Sequence, residues 1–148
     1  MKEQRLKGPD GTGNAGYSGT PLVKKLGYKE GYRIRVVDAP ESYSDWLGGF
    51  PDRTETAAED EGDLDLVHLF VQSRQSCEDL ILLYRERIKP NGMIWVSWPK
   101  KASKIPTDVT EDSIRAFALR NRLVDVKVCA VSDVWSGLKL VIPVAERS

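Results

Sequence analysis

Residues 83–101, LYRERIKPNGMIWVSWPKK, constrain the fold of this chain more than any other stretch. Helix-forming residues run to Ile88, Lys89-Pro90-Asn91-Gly92 reads as a turn, and Met93-Ile94-Trp95-Val96-Ser97 is a short apolar strand. Proline locks φ and lacks an amide hydrogen, while glycine tolerates backbone angles closed to other residues, so the pair interrupts regular structure. A helix, a tight turn and a buried strand in that order form one αβ unit of a parallel sheet. The strand then delivers the chain to a Trp98-Pro99-Lys100-Lys101 loop.

Other segments extend the same architecture. Residues 64–71, LDLVHLFV, are almost continuously apolar after Asp65, as expected of a central parallel strand covered on both faces. Residues 32–37, YRIRVV, bounded by Gly31 and Pro40, read as the first strand. Before them, Thr20 and Pro21 look like an N-cap and a first helical position. Leu22, Val23 and Leu26 form the apolar face of that short helix, and Gly27 stops it. Residues 42–47 suit a helical turn, and residues 48–62 a loop with at most a frayed edge strand at residues 54–56. Ser73 or Ser76 caps a helix on which Cys77, Leu80, Ile81, Tyr84 and Ile88 share one side. Thr110 caps another, with Ile114, Phe117, Ala118 and Asn121 facing inward. Residues 123–131 and 137–144 are the last two strands. Their connection is too short for a crossover helix, so they must pair antiparallel. The whole is an α/β chain with a three-layer sandwich.

A length of 148 residues suits one domain with a sizeable core. We divide it into a polar, glycine-rich N-terminal tail, residues 1–17, expected to be mobile, and a single α/β domain, residues 18–148. Within the tail, residues 11–16 match G-x-G-x-x-G. A dinucleotide fingerprint needs a strand before the glycines, and Lys7-Gly8-Pro9-Asp10 cannot supply one, so the motif reads as linker.

Lys plus Arg and Asp plus Glu each number 22, so no net field favours nucleic acid or an anionic membrane. Neither partner is expected. The apolar runs are too short to span a bilayer, and the first residues lack the apolar core of a secretory signal. Cys77 and Cys129 read as free thiols suited to a reducing cytoplasm. With His68 they form no zinc-type ligand set, so no metal site is expected. Charge is uneven locally: residues 38–65 are acidic apart from Arg53, and Lys100, Lys101 and Lys104 cluster later.

Ligands of an open α/β sheet bind outside the carboxyl ends of its parallel strands. That rule selects Asp38, Ser73, Arg74, Trp98, Lys100, Lys101, Trp135 and Ser136 as candidate ligand-binding residues. Cations, hydroxyls and indoles on one rim suit an anionic, partly planar ligand. The alternative is that the tryptophans fill the sheet edge and the lysines are solvated. His68, mid-strand among apolar residues, suits a hydrogen-bonded structural role better than a general base. Cys77 lies near a helix start, but its register places it on the core face as an inert thiol. No catalytic residue is singled out.

The segments KPNGMIWVSWPKK and LDLVHLF resemble the late turn–strand and the central strand of class I methyltransferases. The resemblance implies a Rossmann-like fold, mostly parallel and ending in an antiparallel hairpin strand, with an abbreviated early half. More specifically, GYSGTPLVKKLGYKEGYRIRVVDAPESY, DLVHLFVQSR, KPNGMIWVSWPKKAS, TDVTEDSIR and LVDVKVCAVSDVWSGLKLVI are similar to a family of small bacterial proteins grouped as a domain of unknown function. The methyltransferase pattern implies a glycine-rich turn after the first strand, where small residues let S-adenosylmethionine approach the backbone. Asp38-Ala39-Pro40-Glu41-Ser42 stands there instead, and an acid to grip the ribose hydroxyls would have to come from Glu59, Asp60 or Glu61. The expectation is therefore a non-catalytic protein without a cofactor, binding an anionic small molecule or a protein partner at the rim. The alternatives are an atypical S-adenosylmethionine-dependent methyltransferase, and an interaction module using residues 52–65 or an edge strand, including as a homodimer.

Overall fold

The computed structural model describes residues 20–147. The expected mobile tail, residues 1–17, and the glycine motif within it lie outside the described residues. Six strands form one sheet in the order β2-β1-β3-β4-β6-β5. These are β1 (Arg33–Val37), β2 (Glu55–Thr56), β3 (Leu64–Phe70), β4 (Ile88–Pro99), β5 (Val124–Ala130) and β6 (Trp135–Val141). The first four are parallel, and β6 inserts antiparallel between β4 and β5. Helices α1 (Leu22–Leu26) and α2 (Tyr43–Leu47) pack on one face, and α3 (Arg74–Arg85) and α4 (Glu111–Arg120) on the other. The three-layer expectation holds.

The alternation of side chains along each strand divides the core in two. Val67, Leu69, Ile94, Val96, Leu138 and Leu140 meet Ile81 and Tyr84 of α3 and Ile114 and Phe117 of α4. On the reverse face Leu66, Phe70, Met93, Trp95 and Trp135 meet Leu26, Tyr43 and Leu47. Trp95 is fully buried, and its indole donates to the Leu26 carbonyl at 2.7 Å, fastening the end of α1 to the central sheet. Gly27 then stops α1 in the left-handed conformation, φ 91°. The cap before it is Pro21 rather than Thr20.

Two details depart from expectation. Helix α3 ends at Arg85, and Ile88, expected as its last apolar position, already belongs to β4. Lys89-Pro90-Asn91-Gly92 does not turn the chain between helix and strand; it is a bulge within β4. Leu64 pairs with Ile88 and Leu66 with Met93, so β3 advances two residues while β4 advances five. The residue types that make a turn also make a bulge, and only the pairing partner distinguishes them.

The starts of α3 and α4 follow the sequence. Ser73 accepts from the Ser76 amide at 3.1 Å, and Thr110 and Ser113 form a reciprocal capping box, each side chain 3.0 Å from the other's amide. Thr110→Ala is expected to lower stability by about 1 kcal/mol in urea unfolding. An unchanged midpoint would show that the box contributes nothing.

Candidate functional site

After β1 the chain runs out to β2 at the sheet edge, then returns to β3 on the other side of β1. Neighbouring strands whose connections leave in opposite directions open a crevice at their carboxyl ends. A cleft of about 680 Å³ lies there, lined by Asp38 and Pro40 after β1, Phe70, Gln72 and Ser73 from the end of β3, Ser76 of α3, Pro106 and Trp135.

Each wall has a local cause. Asp38 turns sharply off β1 with φ 59°, a left-handed conformation more natural to glycine, which aspartate tolerates better than most residues. Phe70 and Trp135 meet edge to face at 5.1 Å and form an aromatic wall. The loop after β4 is fastened at both ends: the Lys100 amide donates to Val134 at 2.7 Å, and the Thr107 hydroxyl to the Gln72 carbonyl at 2.5 Å. That anchoring sets Pro106 against the cleft.

Of the eight sequence candidates, the cleft lining includes Asp38, Ser73 and Trp135. Trp98 packs into the core on the α3–α4 face, whereas Trp135 belongs to the core of the opposite face. Ser136 pairs with Trp98 across β6 and β4 and shares the Trp98 side of the sheet. The Arg74 amide donates to the Asp108 carboxylate at 2.8 Å, and its guanidinium lies 4.0 Å from Glu78. Lys100 and Lys101 lead into an exposed 3₁₀ turn of residues 101–103, outside the lining. The lining thus carries one carboxylate and no cation, and Asp108 already supplies an anion to the α3 N-terminus. Sequence reasoning missed Pro40, Phe70, Gln72, Ser76 and Pro106; the rim rule selects the loops of Pro40, Gln72 and Ser76, but neither Phe70, the last residue of β3, nor Pro106, beyond the lysine-rich loop.

Behind the aromatic wall lies a buried polar chain. Phe70 stacks on His68 with ring centroids 4.3 Å apart. His68 Nδ1 is 2.7 Å from the Tyr43 hydroxyl, which is 2.8 Å from that of Tyr28, and His68 Nε2 is 2.7 Å from Ser97 Oγ. Burial pushes the imidazole down to about 3, so the ring stays neutral and serves as a two-ended bracket. Burial also raises both tyrosine hydroxyls well above their ordinary range. Burial lifts the Cys77 thiol to about 12, so neither group offers a ready base or nucleophile. The sequence expectations for His68 and Cys77 agree with this arrangement.

Glu59 and Glu61, two of the acids considered for a ribose grip, sit at the other end of the sheet. Glu61 lies 3.2 Å from Arg33, the first residue of β1, and the Glu59 carbonyl accepts from Arg87, just before β4. Among the described residues no group of three or more His, Cys, Asp or Glu could hold a metal ion. Nor is any described helix long and apolar enough to cross a membrane.

Solved structures share this fold. A candidate type 11 methyltransferase from Sulfolobus solfataricus superposes with a TM-score of 0.59 at 14% identity, covering 86% of this chain and 92% of that one. A SAM-dependent methyltransferase from Aquifex aeolicus gives 0.52 at 15%, covering 82% and 88%. A TehB-like SAM-dependent methyltransferase from Corynebacterium glutamicum gives 0.51 at 12%, covering 87% and 91%. The fold is the Rossmann-like methyltransferase fold. No protein-family model matches the chain, and no curated protein matches it in sequence. The expectation of a non-catalytic binding protein is not upheld: the solved structures of this fold include two SAM-dependent methyltransferases and a candidate type 11 methyltransferase. The expectation of no cofactor loses its support with it.

Proposed function

We propose that this chain is an atypical S-adenosylmethionine-dependent methyltransferase, with its cofactor in the cleft at the carboxyl ends of β1 and β3. The observation that carries the reading is the cleft's lining at the sheet's switch point: a lone carboxylate on a left-handed turn beside an aromatic wall. The cleft's volume exceeds that of a nucleoside. A site with one negative charge, aromatic faces and no cation favours a ligand that is itself planar in one part and positively charged in another. S-adenosylmethionine, with its adenine, sulfonium and ammonium, has that chemistry, and when bound it supplies an electrophilic methyl group.

Phe70 and Trp135 would hold the adenine face, and Ser73, Ser76 and Gln72 offer hydroxyl and amide partners. Asp38 would take the ribose hydroxyls or the ammonium, since it lines the cleft while Glu61 is paired with Arg33 at the other end of the sheet. Pro40 removes one backbone donor where a glycine-rich turn would present several. The segments quoted above support kinship with the small bacterial family they resemble, on a trimmed version of this scaffold. Two buried free cysteines are compatible with a cytoplasmic setting.

Calorimetric titration with S-adenosylmethionine and S-adenosylhomocysteine tests the reading. Binding is expected, weakened about tenfold or more by Asp38→Asn and by Trp135→Ala. No heat and no thermal shift at millimolar ligand would remove it.

A further inference from the structure

A balanced total charge conceals a local imbalance that the fold creates. Lys127 of β5 pairs in register with Lys139 of β6, placing two ammonium groups side by side on adjacent strands. The Lys127 ammonium donates to the Lys25 carbonyl at the end of α1, at 3.3 Å. Lys29 follows two residues beyond Gly27, and its charge, like that of Lys127, disfavours the charged form of Lys139. Lysines from three parts of the chain are thus brought to the α1 side of the sheet. Among the described residues none of the four has a carboxylate within ion-pair distance, and Glu30, adjacent in sequence, is paired with Arg53. Burial and the two neighbouring ammoniums lower the affinity of Lys139 for its proton.

Like charges on directly opposed strand positions are destabilising, so the chain carries this cluster at a cost to its own stability. Lysine is a compact point charge that suits phosphate but lacks the planar fork of arginine. Protein interfaces are depleted in lysine and centre on exposed apolar anchors. The apolar residues exposed on β5, Val126 and Val128, alternate onto the opposite face from Lys127. An aromatic lies near the cluster's margin instead: Phe50 is 41% exposed and packs edge-on against Tyr28, the residue before Lys29, at 5.2 Å. A positive surface with an accessible ring is the arrangement by which proteins hold unpaired nucleotides, backbone on the charges and a base on the ring.

We propose that Lys25, Lys29, Lys127 and Lys139, with Phe50, form a docking surface for single-stranded nucleic acid. The surface is separate from the cleft and does not depend on the cofactor reading. Fluorescence anisotropy of the full chain with a fluorescein-labelled 12-nucleotide RNA of mixed sequence tests it. Binding at 50 mM salt is expected to weaken steeply towards 200 mM. Lys29→Glu with Lys127→Glu, both exposed, should reduce affinity more than tenfold and flatten the salt dependence. Phe50→Ala should weaken binding about tenfold with the salt dependence unchanged. Arg120→Glu on α4, an equal change of charge per site on the other face, should have little effect. The proposal is overturned by absence of binding at 50 mM salt, by equal losses from Arg120→Glu and Lys127→Glu, or by tighter binding of labelled poly-glutamate than of RNA.

Discussion

Gly92→Ala is expected to destabilise the protein by about 3 kcal/mol, at the upper end of what one added methyl does in a packed region. A Cβ at this position would lie 2.7 Å from the Leu64 carbonyl oxygen, 3.0 Å from Ile88 Cβ and 3.1 Å from the Lys89 amide nitrogen. Two of these three are main chain, so no side-chain rotation relieves the contact. The β4 bulge and the first turn of β3 would have to separate, in the pair of strands that forms the centre of the sheet. By contrast, an added Cβ at Gly48 or Gly49 meets no atom within 4 Å, and their cost comes only from positive φ. Urea unfolding of Gly92→Ala checks the point. A loss below 1 kcal/mol would mean that the bulge opens freely and that the tight packing described here does not hold the strand.

His68→Phe should cost a comparable amount at pH 7, about 3 kcal/mol, although the residue remains large and aromatic. The change removes both ring nitrogens and leaves the buried Tyr43 and Ser97 hydroxyls each short of a partner. It also carries a pH signature. The folded imidazole is depressed to about 3, whereas an unfolded histidine titrates near its ordinary 6.5. Between those values the unfolded chain binds a proton that the folded chain refuses, so stability falls as pH drops. The sign is therefore a contribution complete above pH 6.5 and lost progressively below it. From pH 7 to pH 5 the loss is about 2 kcal/mol in the wild type, and His68→Phe lacks it. Carboxylates titrate in both proteins, so the difference between the two unfolding curves isolates the histidine. Parallel curves would show that the ring is hydrated and protonated in the folded state.

Much of the scaffold is legible in the chain because its signals are local. The apolar run at residues 64–71 reads as a central strand, since a strand covered on both faces has no polar side to show. Ser73 and Thr110 announce helix starts because a capping hydroxyl bonds an amide within three residues. The hairpin of β5 and β6 follows from a connection too short to be anything else. The β4 bulge was not legible: Lys89-Pro90-Asn91-Gly92 carries ordinary turn chemistry, and Leu64, which makes it a bulge, is far away in sequence. The rim rule places Trp98 and Trp135 together. They come from adjacent strands, but their side chains leave opposite faces, a distinction that depends on strand register.

The candidate site shows the same division. The rule that ligands bind at the carboxyl ends of parallel strands selects the loops after β1 and β3, beside which the cleft opens, because strand direction follows from element order. It could not select Phe70 or Pro106, whose approach depends on how loops fold over the rim. The chain from Tyr28 through Tyr43 and His68 to Ser97 joins four segments with no shared motif.

By itself the amino-acid order determined the number, type and direction of the main elements, since periodicity, caps and turn residues act over a few positions along the backbone. The tertiary structure alone decided which charges meet, which aromatics share a face and where a cleft opens. Those depend on contacts between residues tens of positions apart, and the energies of burial and charge that govern them arise only once the sheet has brought such residues together.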